Sequence, residues 1–225
     1  LNIGFVSRMT HGRPWLRLKA AASLDGKTAL NNGVSQWITG PEARRDGHAW
    51  RARACAILTG IGTVRDDDPQ LSVRDVETTR QPLRVVVDSQ LDIPLTARIL
   101  QGGGTLVVGA VENAEKIALL RSTGNFVEIL PNPAGKVDLK ALLELLARRG
   151  INEVHAEAGC KLNGSLIREG LVDELLLYLA PCLIGHQANG LFNLPELSTL
   201  EGKRPLQIRD LRQVGADIRV LARLL

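Results

Sequence analysis

The segment Glu157-Ala158-Gly159-Cys160-Lys161-Leu162-Asn163-Gly164-Ser165 is the first candidate for chemistry in the chain. It follows an apolar strand pattern and opens a helical one. Strand, glycine and helix start, in that order, present free backbone N–H groups and the positive end of the helix dipole to an anion. A phosphate or pyrophosphate fits there without a charged side chain. The same glycines also suit a tight turn and close helix–sheet packing, and the sequence leaves both roles open. A second glycine turn, Thr59-Gly60-Ile61-Gly62-Thr63, again lies between a strand and a short helical segment. It is not a complete G-x-G-x-x-G, and the following strand ends on Asp88-Ser89 without the ribose-binding acid of that fingerprint. Ser89 suits a 2′-phosphate better than Asp88 suits a 2′-hydroxyl. A standard Rossmann dehydrogenase is disfavoured, while two glycine turns at strand ends point to a dinucleotide site.

Basic residues supply a second kind of chemistry. Arg44, His48 and Arg51 lie at i, i+4 and i+7 of one helical pattern, and Arg74 sits in a loop beyond Pro69. Paired guanidiniums match the oxygens of a sugar phosphate bidentately, although Arg44 taken alone reads as part of a solvated helix face. Asp66-Asp67-Asp68-Pro69 reads as turn-forming caps, one of which could face a substrate hydroxyl. Three consecutive carboxylates diverge, so they do not make a metal cage. His155-Ala156-Glu157 with Pro181-Cys182 echoes the zinc deaminase signature, but Gly185 stands where the second thiolate belongs. The sequence therefore calls for no metal. Trp37, in a loop, is either a core anchor or a wall for a flat ring. Cys55 reads as a small core residue, and Asn163-Gly164-Ser165 as a chance sequon.

These groups need elements to hold them. Short Val/Ile/Leu-rich runs alternate with helical patterns, which predicts an α/β fold with a largely parallel sheet. Strands are expected at 15–21, 55–58, 83–87, 105–108, 126–130 and 153–157, with two more around 174–180 and 217–224. The capping box Thr39-Gly40-Pro41-Glu42 opens a helix toward Arg53. Asp138 caps a helix over 139–149, and 160–169 forms another that Gly170 ends. No clear helix separates the last two strands, so the sheet is expected to end antiparallel. Residues 75–81 and 101–104 read as a polar loop and a turn, neither of them a linker, and one domain is expected.

The 225 residues carry a net charge of +4, with 44% hydrophobic, 23% charged and 3% aromatic residues. That composition is globular and leaves few stacking platforms for nucleic-acid bases, so no nucleic-acid partner is expected. The longest apolar stretch, 175–184, falls short of the ~18 residues of a membrane span. Three cysteines without a CxxC pair fit a reducing, cytoplasmic setting. The first residues show no signal peptide, and the missing initiator Met points to a chain cut from something longer.

Several ordered motifs resemble one family. Arg17-Leu18-Lys19-Ala20-Ala21-Ala22-Ser23-Leu24-Asp25-Gly26-Lys27, Ser35-Gln36-Trp37-Ile38-Thr39-Gly40 and Arg44-Arg45-Asp46 are similar to the reductase domain of the bifunctional riboflavin biosynthesis deaminase–reductases. Ile57-Leu58-Thr59-Gly60-Ile61-Gly62-Thr63-Val64, Asp67-Asp68-Pro69, Val86-Val87-Asp88-Ser89, Glu157-Ala158-Gly159 and Gly170-Leu171-Val172-Asp173-Glu174-Leu175 extend the resemblance. It runs from about residue 13 to the end, with 1–12 resembling a linker from a preceding deaminase domain.

The resemblance implies a dihydrofolate-reductase-like three-layer α/β fold, with a mixed, mostly parallel sheet and antiparallel C-terminal strands. It implies NADPH-dependent reduction of 5-amino-6-(5-phosphoribosylamino)uracil to the ribitylamino compound. Ala21, Trp37, Thr63, Asp67, Ser89, Gly159, Cys160, Lys161, Leu162, Asn163, Gly164 and Ser165 would contact NADPH. Ser35, Arg51, Leu71, Arg74 and Glu157 would contact the phosphorylated ribosylaminopyrimidine, with Lys19 near the pyrimidine. Lys19, Asp67 and Glu157 are the candidates for moving protons. A covalently linked deaminase domain and a homodimer are implied as well. A same-fold reductase of the pre-deamination diaminopyrimidine, and a non-catalytic dinucleotide-binding module, are the alternatives.

Overall fold

Trp15-Leu16-Arg17-Leu18-Lys19-Ala20-Ala21-Ala22-Ser23 alternates between two faces, and it is a strand for that reason. Leu16, Leu18, Ala20 and Ala22 fill one buried face, while Arg17, Lys19 and Ala21 stand on the other. The computed structural model describes residues 2–225. Its elements in order are α1 (Ile3–His11), β1 (Trp15–Ser23), β2 (Lys27–Ala29), α2 (Pro41–Arg53), β3 (Ala56–Gly60), α3 (Ile61–Asp67), β4 (Leu83–Val87), β5 (Thr105–Gly109), α4 (Ala114–Ser122), β6 (Phe126–Ile129), α5 (Leu139–Arg148), β7 (Glu153–Ala156), α6 (Cys160–Arg168), β8 (Glu174–Ala180), β9 (Asn189–Gly190), β10 (Leu206–Val214) and β11 (Asp217–Leu224). The pairings are parallel except among the C-terminal strands and in the short β2–β9 ribbon.

The described residues divide into two compact units, 2–15 with Arg51–His155, and Leu16–Trp50 with Ala156–Leu225. In the first, β3, β4, β5 and β6 pair in parallel in that order. Ile57, Val86, Val107 and Val127 lie one on each of these strands and share a core with Ile93, Ile99 and Leu120. Helix α5 buries Leu139, Leu142, Leu143 and Leu146, the apolar stripe of its 3.6-residue period. The Asp138 carboxylate caps it by accepting the Ala141 N–H.

In the second unit the strand order is β10-β11-β8-β1, with β1 parallel to β8 and the other pairs antiparallel. The expected antiparallel ending is present, but β10 was not expected. Its nine residues are exposed or half-buried on both faces, and the alternation begun by Leu206 and Ile208 is broken at a bulge before Asp210. Helices α1 and α4 were not singled out either; α4 buries only Leu120 and so has no stripe to read. Elsewhere the expected ends shift by a residue or two, as at β1, which runs on to Ser23.

The turn after β1 is tied to the segment after β8 by Asp25. Its carboxylate accepts the Ser23 hydroxyl at 2.5 Å and the backbone N–H groups of Ile184 and Gly185 at 3.1 and 2.8 Å. The Ser23 bond first, and the Gly185 bond next, hold this carboxyl down at about 2. A folded value below the unfolded one of ~3.9 contributes stability above that value, which is lost as pH falls through the folded one. The Gly185 amide resonance is therefore expected to titrate with a midpoint near 2 and to stop titrating in Asp25→Asn. A Gly185 midpoint near that of a free carboxylate would refute the anchor.

Candidate functional site

Three rungs of the second unit's sheet carry most of its polar chemistry. Arg17, Glu174 and Arg223 stand side by side across β1, β8 and β11; the next rung is Lys19, Leu176 and Leu221, and the next Ala21, Tyr178 and Arg219. The two-residue period of each strand puts all nine on one face. Helix α2 covers that face with Ala43, Asp46 and Trp50, spaced i, i+3, i+7.

Lys19, on the middle rung, meets Glu157. The ammonium lies 3.6 Å from Glu157 Oε2, with side chains 22% and 12% exposed, so a ligand can reach both. Such a pair can donate to a carbonyl and accept from a neighbouring N–H. The Lys19 ammonium also sits 5.9 Å from the centre of the Tyr178 ring. Tyr178 is buried and donates its phenol to Asp46 Oδ2 at 2.5 Å. Burial, then that bond to Asp46, push the phenol far above its ordinary range, so it stays a donor. Asp46 accepts from Arg219 Nη1 at 2.9 Å, and Arg219 Nη2 reaches Asp210 at the same distance. Trp50 receives the guanidiniums of Arg17 and Arg219 over its ring, 4.5 and 5.6 Å from the centre. Arg17 pairs with the buried Glu174 at 2.7 Å.

The start of α6 lies in the same unit. Gly159 is its N-cap in extended backbone, without a side-chain cap among the described residues, and a Cβ there would meet nothing. Asn163 is buried and donates Nδ2 to the Ala158 carbonyl at 2.9 Å. Among the described residues its Oδ1 meets no donor. An uncapped helix start with open space and an unsatisfied buried amide beside it fits the phosphates and polar groups of a dinucleotide. Gly164 has a packing role, because a Cβ there would lie 2.1 Å from the Asn193 carbonyl oxygen. The Ser165 hydroxyl donates back to Lys161 O at 3.2 Å; Lys161 is exposed, and Cys160 and Leu162 are half-buried. Trp37 is 70% exposed, which excludes a core anchor, and the Arg44 guanidinium stacks 4.7 Å from its ring centre. Ser35 is half-buried in the loop that precedes it.

The first unit brings the other arginines to one loop. Arg51 Nη1 donates to Ser72 O at 3.3 Å and Arg74 Nη1 to Gln70 Oε1 at 3.4 Å. The Gln81 amide holds both backbone groups of Val73 in that loop, and Leu71 is buried there with φ of +49°. His48, expected on the arginine face, is buried. Thr63 is half-buried and Asp67 exposed on α3, while Asp68 accepts the Arg98 N–H at 2.9 Å. Ser89 Oγ accepts the Val137 N–H at 3.2 Å, and the buried Asp88 accepts that of Ile93 at 2.7 Å. Burial, first among its causes, raises the Asp88 pKa. Among the described residues no three His, Cys, Asp or Glu gather to hold a metal, and no helix is long and apolar enough to cross a membrane.

Trp50, Tyr178 and Arg219 escaped the sequence reading, and Asp46 entered it only as part of a family motif without a role. The signal that could have found them is the interleaving of arginines and the chain's single tyrosine with apolar residues in two strands.

A family profile described as the RibD C-terminal domain matches residues 14–220. The riboflavin biosynthesis protein RibD of Escherichia coli K12 is 40% identical over 232 residues, 97% of this chain and 62% of that protein. The solved structure of Acinetobacter baumannii RibD, form 1, is similar with a TM-score of 0.89 at 38% identity, over 100% of this chain and 62% of that one. A Thermotoga maritima structure described as a diaminohydroxyphosphoribosylaminopyrimidine deaminase/5-amino-6-(5-phosphoribosylamino)uracil reductase shares the fold, with a TM-score of 0.79 at 24% identity over 99% of this chain and 60% of that one. The chain thus spans about three fifths of the length of these relatives.

Proposed function

The chain belongs to the RibD C-terminal domain family, and on that premise we propose that it reduces 5-amino-6-(5-phosphoribosylamino)uracil with NADPH in riboflavin biosynthesis. Its fold is the mixed α/β, dihydrofolate-reductase-like one. The observation that carries the proposal is the accessible Lys19–Glu157 pair. A uracil edge places a carbonyl beside a ring N–H, and a fixed ammonium next to a carboxylate complements that order.

Bound NADPH supplies a hydride from C4 of its nicotinamide. Before that, the ribosyl C1′–O4′ bond opens; O4′ gains a proton, the exocyclic nitrogen loses one, and C1′ becomes the carbon of an imine. Reduction at C1′ would be completed by return of a proton to the nitrogen, so the proton transfers at O4′ and at the exocyclic nitrogen fall to the protein. Lys19 and Glu157 hold the pyrimidine, and Lys19, Asp67 and Glu157 are the candidates for relaying these protons. The uncapped start of α6 from Gly159 to Ser165 takes cofactor phosphates, with Ala21, Trp37, Thr63 and Ser89 as further cofactor contacts. Ser35, Leu71, Arg51 and Arg74 take the substrate, the arginines its phosphate, far from the reacting carbon. That binding is spent on alignment, which converts an encounter into an effectively unimolecular step.

The reading includes residues 13–225 as one reductase domain, a deaminase domain joined to it in the full-length protein, a homodimer and a cytoplasmic location. The test is loss of NADPH absorbance with the deaminated substrate, with NADH and the diaminopyrimidine as controls. Oxidation with the diaminopyrimidine instead would move the enzyme one step earlier, and saturable NADPH binding without turnover would make this a binding module. Arg51→Ala is expected to raise KM for the substrate more than ~tenfold, about 1.4 kcal/mol. An unchanged KM would remove the phosphate role.

A further inference from the structure

Tyr178 is held more firmly than packing requires. A leucine or phenylalanine would fill the same place between α2 and the sheet, where Ala43, Trp50 and Leu176 are its neighbours. Instead its hydroxyl is fixed by Asp46 at 2.5 Å, and Asp46 by Arg219 at 2.9 Å. Arg219 in turn is fixed by Asp210 and lies over Trp50. Drawing such charges out of water is costly, and the arrangement gives a unique orientation rather than cheap stability. The orientation has one visible consequence. Ala21, opposite Tyr178 in the β1–β8 register, has no bulk, so the ring extends toward the neighbouring rung and the Lys19 ammonium. At 5.9 Å from the ring centre the ammonium is within reach of the ring's electrostatic attraction, while Glu157 holds it from the other partner position.

We infer that Tyr178 is a positioning residue whose clamped ring holds the Lys19 ammonium beside Glu157, in the place where it meets the substrate. The inference rests on the function proposed above, and its first test does not depend on turnover. The full chain is reductively methylated with ¹³C-formaldehyde, which keeps the lysine charge, and the Lys19 signal is identified by its loss in Lys19→Met. In the unmodified sequence that signal is displaced from the other lysines by the ring. Tyr178→Phe, which keeps the ring but loses the Asp46 bond, is expected to retain only part of the displacement, and Tyr178→Leu to abolish it.

The second test is kinetic. Tyr178→Leu is expected to lower kcat about tenfold with KM for NADPH within about twofold, and Tyr178→Phe to restore kcat to within about threefold of the parent. In a Lys19→Met background, Tyr178→Leu is expected to have no further effect, since a residue acting through Lys19 loses its route. Should Tyr178→Leu fail to fold, Tyr178→Met takes its place. A Lys19 signal unmoved by loss of the ring, or additive kinetic effects, would overturn the inference. A displaced signal in a protein that does not turn over the substrate would leave the positioning intact and defeat the proposed reaction instead.

Discussion

Lys19→Met is expected to lower kcat about a hundredfold, ~2.7 kcal/mol of transition-state stabilisation, with the fold intact. The size follows from where the ammonium stands. It lies 3.6 Å from Glu157 Oε2, and both groups are mostly withdrawn from water. Methionine keeps the packing of the lysine stem and removes only the charge and its donors. Glu157 is then left without that partner, next to the place proposed for the uracil edge, and carbonyl polarisation and proton relay are lost together. Binding of NADPH should change little, because the phosphate donors proposed for it at the start of α6 are backbone groups. Steady-state kinetics with near-UV circular dichroism as the folding control decide the matter. A kcat within about threefold of the parent would exclude Lys19 from the chemical step and return it to a surface ion pair, of which ~0–1 kcal/mol is normal.

The second large effect is structural. Gly164→Ala is expected to cost about 3 kcal/mol, the upper part of the range for forcing extra atoms into a packed site. A Cβ at that position would stand 2.1 Å from the carbonyl oxygen of Asn193, 2.8 Å from its carbon and 3.0 Å from its nitrogen. All three are backbone atoms, so no side chain can swing aside. The segment cannot retreat freely either, since the Asn193 N–H donates to Cys160 O at 3.0 Å and Arg168 donates to the Asn193 carbonyl. For a chain of this length a loss of that size lowers Tm by roughly 6–12 °C. Calorimetry of the single variant measures it. An unchanged Tm would mean that the segment around Asn193 shifts at little expense and that Gly164 is free for another role.

How far the sequence is legible depends on where each element hides its apolar atoms. The strands over 83–87, 174–180 and 217–224 begin and end where the residue pattern places them, because each is rich in Val, Ile or Leu, as in Val85-Val86-Val87, Leu175-Leu176-Leu177 and Val220-Leu221. The Asp138 cap and the Gly159 helix start are local chemistry, and local chemistry is readable. Strand β10 is harder to read because the alternation that Leu206 and Ile208 begin slips out of phase at the bulge before Asp210. The clamp around Tyr178 is harder still. Asp46 on α2, Tyr178 on β8 and Arg219 on β11 become neighbours only through strand register and helix docking, and no spacing along the chain encodes either. The same holds for Gly164, whose counterpart at Asn193 lies in an irregular segment.

The second unit is assembled from Leu16–Trp50 and Ala156–Leu225, and this division has a bearing on how the protein is made. The Leu16 N–H is bonded to the Asp173 carboxylate across 157 residues, and β1 gains β8 as its neighbour only through that distant stretch. On the ribosome, Arg51–His155 has all four of its parallel strands β3 to β6 in hand before β8 has been synthesised. Residues 16–50 must wait, with Leu16, Leu18 and the rest of β1 denied their eventual neighbour, until the final third of the chain emerges. Closing so long a loop is slow, and apolar segments left unpaired meanwhile are where chains associate wrongly. The strand bearing Lys19 is thus synthesised before every other strand of its own unit and is among the last to reach its final surroundings.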